Sequence, residues 1–175
     1  MNFLDRLETT LRIRGGYQLN GEVRTQGAKN AALPIMAASL LAKGPVTLHR
    51  IPRITDVSVM WSLLEALGAR LKLEDSHTLT IDSTNVGTHR APYTLVRKLA
   101  ASFDVTGALL GRFGRAEVPL PGGCVLGTRA TDMHEAAFSN IHLVVHLDAT
   151  VGADEAGVIL VRDQLMTDER VRVDK

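Results

Sequence analysis

Two segments of the sequence carry side chains that could do chemistry, and the first runs from Gly27 to Pro34. In it Lys29 and Asn30 stand directly before an apolar stretch rich in alanine and leucine. An ammonium and a carboxamide at the mouth of a helix, together with the free N–H groups of its first turn, can bind an anion. A solvated surface lysine beside an ordinary capping asparagine is the alternative, and the residues alone leave both interpretations open.

The second segment holds the single cysteine of the sequence, Cys124, in the glycine- and proline-rich stretch Pro119–Gly127. Three arginines are close to it in sequence: Arg112, Arg115 and Arg129. Cations beside a thiol lower its pKa, and a loop lets the sulfur reach a substrate, so the segment is typical of a reactive cysteine. A structural cysteine is the alternative, and the residues favour neither.

A metal site has weaker support. His142 and His146 are four residues apart, which would place both imidazoles on one face of a helix. Leu143 stands where the metalloprotease motif has glutamate, and Val144 and Val145 suit a strand equally well. A single cysteine also excludes a disulfide framework and a cysteine-based zinc cage. We therefore predict no metal site.

The overall composition excludes several classes of function. The 175 residues include 20 Lys+Arg and 19 Asp+Glu, so the net charge of +1 gives no electrostatic reason to expect nucleic acid or a membrane surface. Aromatic residues make up 4%, too few for a base-stacking platform. The longest apolar stretch, 31–42, is broken by Pro34 and too short to span a bilayer. We expect a soluble, cytoplasmic, globular chain.

Hydrophobic periodicity predicts a mixed α/β chain in which the order β-α-β-α-β-β occurs twice. The first copy is predicted from strands at 11–14 and 21–25, a helix at 31–42, a strand at 46–51, a helix capped by Asp56, and a hairpin at 69–73 and 77–81. The second is predicted from a long helix at 93–113, a strand at 116–120, a helix at 132–142, and strands at 158–161 and 171–173.

Taken together, the two segments resemble the UDP-N-acetylglucosamine enolpyruvyl transferases of peptidoglycan synthesis, which are members of the EPSP synthase superfamily. The resemblance covers about 11–134 and is carried by short motifs at Gly27–Pro34, Gly44–Leu48, Arg112–Gly114, Leu120–Cys124, Gly127–Arg129 and Asp132–His134. It implies two domains, each built from βαβαββ units in an inside-out α/β barrel. This chain would supply one of them, with 1–20 a segment that pairs with the second domain and 21–175 a partial enolpyruvyl transferase domain.

The resemblance also implies a reaction, in which the enolpyruvyl group of phosphoenolpyruvate moves to the 3′-hydroxyl of UDP-N-acetylglucosamine without a cofactor. Lys29 and Asn30 would hold phosphoenolpyruvate. Cys124 would be the general acid that protonates its methylene carbon, and the thiol that reacts with fosfomycin. The UDP-sugar site would be lined by Arg129, Ala130, Thr131, Asp132 and Met133.

Two positions depart from the family pattern, since Ala100 stands where arginine is expected and Gln26 where serine is usual. The chain is also about one domain long. These features keep two alternatives open: a non-catalytic homologue that binds a nucleotide sugar or a protein partner, and one half of a split enzyme completed by a carboxyl-terminal domain or chain.

Overall fold

The computed structural model describes residues 12–18, 20–121, 133–134, 136–137 and the two strands at 143–148 and 158–163. Helices and strands alternate along these residues, as a mixed α/β chain requires. In order they are α1 (Lys29–Ala38), a 3₁₀ turn (Ser39–Leu41), β1 (Pro45–Leu48), α2 (Thr55–Ala66), β2 (Arg70–Leu73), β3 (Leu79–Asp82), α3 (Tyr93–Val96), a 3₁₀ helix (Ala100–Asp104), α4 (Val105–Phe113), β4 (Arg115–Pro119), β5 (Leu143–Asp148) and β6 (Val158–Asp163).

The first sheet has β3 in the centre, with β1 and β2 on either side. Both outer strands run antiparallel to β3, with Leu48 and Leu73 each opposite Leu79. The outer strands are therefore parallel to each other, and α2 is the crossover between them. The predicted hairpin is confirmed, since β2 and β3 pair across a short turn in which the Asp75 carboxylate accepts bonds from the backbone N–H groups of His77 and Thr78.

The second sheet repeats this topology. Its last strand in the chain, β6, lies between β4 and β5 and is antiparallel to both. Residues 133–134 and 136–137 are helical and fall between β4 and β5 in the chain, as α2 falls between β1 and β2. The structure thus confirms the α-β-α-β-β part of the predicted β-α-β-α-β-β repeat, which occurs twice with one strand arrangement. In the second repeat the hairpin pairs β5 with β6, whereas the sequence predicted strands at 158–161 and 171–173.

The core lies where the helices meet each other and the sheets. Helix α1 buries Ala32, Leu33, Met36 and Ala37, a spacing that places all four on one face. This face packs on α2 and on the second repeat, whose helix α4 contributes Leu109. The start of α1 is consequently held on a rigid scaffold.

The single long helix predicted over 93–113 is wrong. The chain leaves the helical conformation at Leu99, whose φ of −139° and ψ of 118° are those of an extended residue. The hydroxyl of the buried Ser102 donates to the carbonyls of Val96 and Leu99, and this local bonding competes with a continuous helix. Hydrophobic spacing continues across the break, so periodicity alone cannot detect it.

The strands predicted at 11–14 and 21–25 are also wrong for the residues described. Residues 12–18 and 20–28 form no strand, and Ile13 and Val23 are 78% and 89% exposed. An alternating segment becomes a strand only where a sheet edge pairs with its backbone and a core covers its apolar face. The strand predicted at 171–173 lies outside the described residues.

Candidate functional site

The segment before α1 passes very close to the loop that follows β1. A Cβ on Gly27 would lie 1.7 Å from the carbonyl oxygen of Arg50, so only glycine fits there. Arg50 itself adopts a left-handed conformation with φ of 58°, which is uncommon for a residue with a side chain. The glycine of the first motif therefore sets the position at which α1 begins.

Helix α1 begins with a positively charged residue. Lys29 is its first residue, its first turn contains no acidic residue, and no described side chain caps its N-terminus. Helix N-termini are electropositive and normally attract carboxylates, so a lysine there opposes the local preference. The adjacent Asn30 is exposed. An ammonium, an exposed carboxamide and an uncapped helix start form an arrangement suited to a multiply charged anion.

Lys29 has a partner in the next helix. Its ammonium donates to the Asp56 carboxylate over 2.9 Å, and the two side chains are 52% and 36% exposed. The prediction that Asp56 caps α2 is wrong, because Ile54 occupies the cap position and no side-chain bond is made there. Asp56 lies instead in the first turn of α2. The sequence contains no local signal for this pair, which spans 27 residues and depends on the packing of α1 against α2.

Two grooves flank the exposed face of α1. One, of about 300 Å³, lies between its first half and the end of β1; the other, of about 290 Å³, lies between Pro34 and Ala38 of α1 and the aromatic ring of Phe103. Neither Lys29 nor Asn30 lines either groove. The candidate anion site is therefore the open start of α1.

Arg112 is held by backbone carbonyls of the first repeat. Its guanidinium donates to the carbonyls of Leu40 and Ala42 at 2.7 and 3.1 Å, of Ser83 at 2.7 Å and of Thr84 at 3.5 Å. Leu40 and Ala42 lie in and directly after the 3₁₀ turn that follows α1, and Ser83 directly follows β3. Both places belong to the first repeat. Arg112 thus joins the second repeat to the first.

Ala100 stands at the position where the resemblance predicts an arginine. Ala100 begins the 3₁₀ helix and is half-buried. The nearby guanidinium of Arg97 donates to the Tyr93 hydroxyl at 2.8 Å and lies 5.4 Å from the centre of that ring. Arg97 is thus held by the side chain one turn earlier in the chain.

The remaining predicted site residues are only partly described. Cys124, Arg129, Ala130, Thr131 and Asp132 lie outside the described residues. Met133 is 78% exposed, and the neighbouring His134 packs its ring edge-on against Phe103, with ring centres 5.4 Å apart. Lys29 and Asn30 therefore lie side by side at the start of α1. The described residues do not show where they lie relative to the cysteine segment.

The helical interpretation of the histidine pair is wrong. Residues 143–148 form β5, so His146 lies in a strand, while His142 is outside the described residues. Within the described part of the chain no group of histidine, cysteine, aspartate or glutamate is arranged to hold a metal, and none of its helices is long and apolar enough to cross a membrane.

Comparison with known proteins identifies the family of this chain. The profile of the EPSP synthase (3-phosphoshikimate 1-carboxyvinyltransferase) family matches residues 13–157. The chain belongs to this family. Its fold also agrees with a solved structure: the enolpyruvyl transferase NikO from Streptomyces tendae superposes with a TM-score of 0.67 at 26% identity, over 86% of this chain and 31% of NikO.

Two curated relatives carry the name UDP-N-acetylglucosamine 1-carboxyvinyltransferase. The protein from Gloeobacter violaceus is 42% identical over 94% of this chain and 34% of its own length. The protein from Chloroherpeton thalassium is 47% identical over 78% of this chain and 32% of its length. This EPSP synthase family chain therefore spans about a third of the length of the curated relatives it matches.

Proposed function

We propose that this chain is the amino-terminal portion of an enolpyruvyl transferase. The reaction moves the enolpyruvyl group of phosphoenolpyruvate to the 3′-hydroxyl of UDP-N-acetylglucosamine, the first committed step of peptidoglycan synthesis. The observation that carries the proposal is the uncapped start of α1, where Lys29 and Asn30 present donors to an anion. Identities of 42% to 47% to relatives named for this transfer support the same substrate pair.

The chemistry needs cations on an anionic substrate and an acid at carbon. Lys29 and Asn30 bind the phosphate and carboxylate of phosphoenolpyruvate. The Cys124 thiol gives its proton to the methylene carbon, and C2 becomes electron-poor. The sugar 3′-hydroxyl then bonds to C2 and passes its proton to an aspartate that the resemblance assigns to the family's carboxyl-terminal half. Cleavage of the C–O bond to phosphate and return of a methyl proton to the Cys124 thiolate restore the double bond, and the proton held by the aspartate leaves with the released phosphate.

The UDP-sugar side of the site is proposed from the family resemblance. Arg129, Ala130, Thr131, Asp132 and Met133 would line it, and the exposed side chain of Met133 is free to contact a ligand. Residues 1–20 would pair with a second domain and 21–175 would form a partial enolpyruvyl transferase domain. The exposure of Ile13, Tyr17 and Val23 supports a covering partner for this part of the chain, since apolar side chains in an extended segment are normally covered.

Alkylation of Cys124 by fosfomycin tests the proposed site directly. We expect mass spectrometry to find the adduct on Cys124, and to find it forming faster when UDP-N-acetylglucosamine is present. Cys124→Ser is the control for the site of attachment, and UDP without the amino sugar is the control for the ligand. Labelling that does not depend on the sugar would contradict a shared site and favour a homologue without catalytic function.

Phosphate release separates a catalytic portion from a binding protein. The chain is assayed with both substrates, alone and after addition of a polypeptide that supplies the remaining two-thirds of a relative. Activity only in the mixture indicates one part of a divided active site. Sugar-dependent labelling without phosphate release in either case would leave nucleotide-sugar binding as the function, and Ala100→Arg would then show whether the departure at that position is the cause.

A further inference from the structure

We propose that Asp56 is a positioning residue for Lys29, which it holds at the start of α1 ready for the anionic groups of phosphoenolpyruvate. This inference rests on the proposed function, because it assigns a role within the same site. Asp56 does not touch the substrate in this proposal. It acts through the lysine ammonium, to which it is bonded over 2.9 Å.

The pairing leaves Lys29 able to bind a ligand. A lysine ammonium has three N–H donors, and the contact with Asp56 uses one of them. Both side chains are reached by solvent, at 52% for Lys29 and 36% for Asp56. An arriving phosphate or carboxylate can therefore accept from the remaining donors while the contact with Asp56 persists.

Asp56 is well placed to restrict a flexible side chain. Lysine has a long stem with many rotamers, and ordering it at the moment of binding weakens affinity. The backbone of Asp56 is fixed because its neighbours in α2, Val57 and Met60, are fully buried. The carboxylate also lies in the first turn of α2, where the helix dipole favours negative charge. A rigid anion on one helix therefore restricts a mobile cation on the adjacent helix.

The opposing effect is repulsion between the Asp56 carboxylate and an anionic ligand. The pair is open to solvent, where water and salt screen charges that are not in contact. The direct contact to the ammonium is screened least. We therefore expect removal of the carboxylate to weaken the binding of phosphoenolpyruvate, and the sign of the change is itself a test.

A second surface pair in the same chain supplies the matched control. Lys72 and Glu74 lie at the end of β2, with Nζ and Oε2 separated by 2.6 Å and side chains 74% and 37% exposed. Their charges and exposure are similar to those of Lys29 and Asp56, but the lysine does not begin a helix. Glu74→Gln should leave phosphoenolpyruvate affinity unchanged.

The test is titration of the full chain with phosphoenolpyruvate, followed by ³¹P NMR. Asp56→Asn should raise the dissociation constant about fivefold, the ratio expected from loss of one exposed ion pair. Lys29→Met should weaken binding further, and Asp56→Asn should add nothing in the Lys29→Met background. A substitution that only disturbed folding would weaken binding in both backgrounds.

Limited acetylation with acetic anhydride gives a readout that needs no ligand. Mass spectrometry should show faster acetylation of Lys29 in Asp56→Asn, and of Lys72 alone in Glu74→Gln. Phosphoenolpyruvate binding that is unchanged or tighter in Asp56→Asn, or unchanged Lys29 acetylation, would overturn the inference and leave the proposed function standing. Failure of the unsubstituted chain to bind phosphoenolpyruvate would overturn the proposed function and this inference with it.

Discussion

Replacement of Arg112 by methionine should lower the free energy of unfolding and weaken the coupling between the two repeats. The guanidinium reaches from α4 to carbonyls 72 and 70 residues earlier, at Leu40 and Ala42, and to that of Ser83. Methionine retains an apolar stem of similar reach and removes every donor. The loss is therefore one of hydrogen bonding, with little change in packed volume.

The magnitude follows from the three bonds of 2.7, 3.1 and 2.7 Å. A hydrogen bond from a charged donor contributes about 1.5–3 kcal/mol net, and such values are not additive within one group. The contacts are only partly buried, so water can reach some of the released carbonyls. We expect a loss of about 2–4 kcal/mol in the free energy of unfolding. Arg112→Lys should recover about half, because an ammonium lacks the planar fork that serves both sets of carbonyls.

Urea unfolding measures this loss, with circular dichroism reporting on both repeats and the fluorescence of Trp61, the single tryptophan, on α2. Arg115→Met is the control, since that arginine is exposed at the start of β4 and three residues away. Coincident transitions in the parent and separated ones in Arg112→Met would support a junction between repeats. A loss in Arg112→Met no larger than in Arg115→Met would refute the reasoning.

Two further predictions concern the loop at the start of α1 and the turn of the hairpin. Gly27→Ala should force the Arg50 loop to move, lowering stability by about 1–3 kcal/mol in urea unfolding and weakening phosphoenolpyruvate binding; unchanged binding would contradict the role of this contact. The Asp75 carboxylate accepts backbone N–H bonds that lower its pKa from the usual 3.8, so its stabilisation is present above that pH and is lost as pH falls through the lowered value. Asp75→Asn should therefore flatten the acid-induced loss of stability measured between pH 4 and pH 2, and an unaltered slope would contradict this.

What the sequence could predict depends on how far apart the interacting residues are. Helix α1 and the hairpin of β2 and β3 follow from periodicity and turn residues within a few positions, and both are confirmed. The end of α4 is equally local, because Gly114 adopts a left-handed φ of 67°. The break at Leu99 is also short in range, but it depends on the hydroxyl of Ser102 bonding two carbonyls, which hydrophobic spacing does not encode.

The candidate site shows the same difference between features set by neighbouring residues and features set by packing. The motif around Lys29 and Asn30 is visible as residue types, although the helix begins at Lys29, two residues before the predicted start at 31. The partner of Lys29 is not visible, because a residue of α2 becomes its neighbour only through packing of two helices. The acceptors of Arg112 are equally invisible in the sequence, because the four backbone carbonyls that it bonds lie 28 to 72 residues away.

The charges at the two helix starts support the proposal that a ligand binds at the start of α1. In α2 the Asp56 carboxylate satisfies the dipole of its own helix, as local preference dictates. In α1 the first residue is Lys29, at a cost of about 0.3–1 kcal/mol relative to a neutral residue. Asp56 offsets part of that cost across the helix contact, yet it leaves the N-terminus of α1 without an acidic residue or a side-chain cap of its own. We propose that phosphoenolpyruvate binds through its phosphate and carboxylate at this helix end, which the described residues leave electropositive.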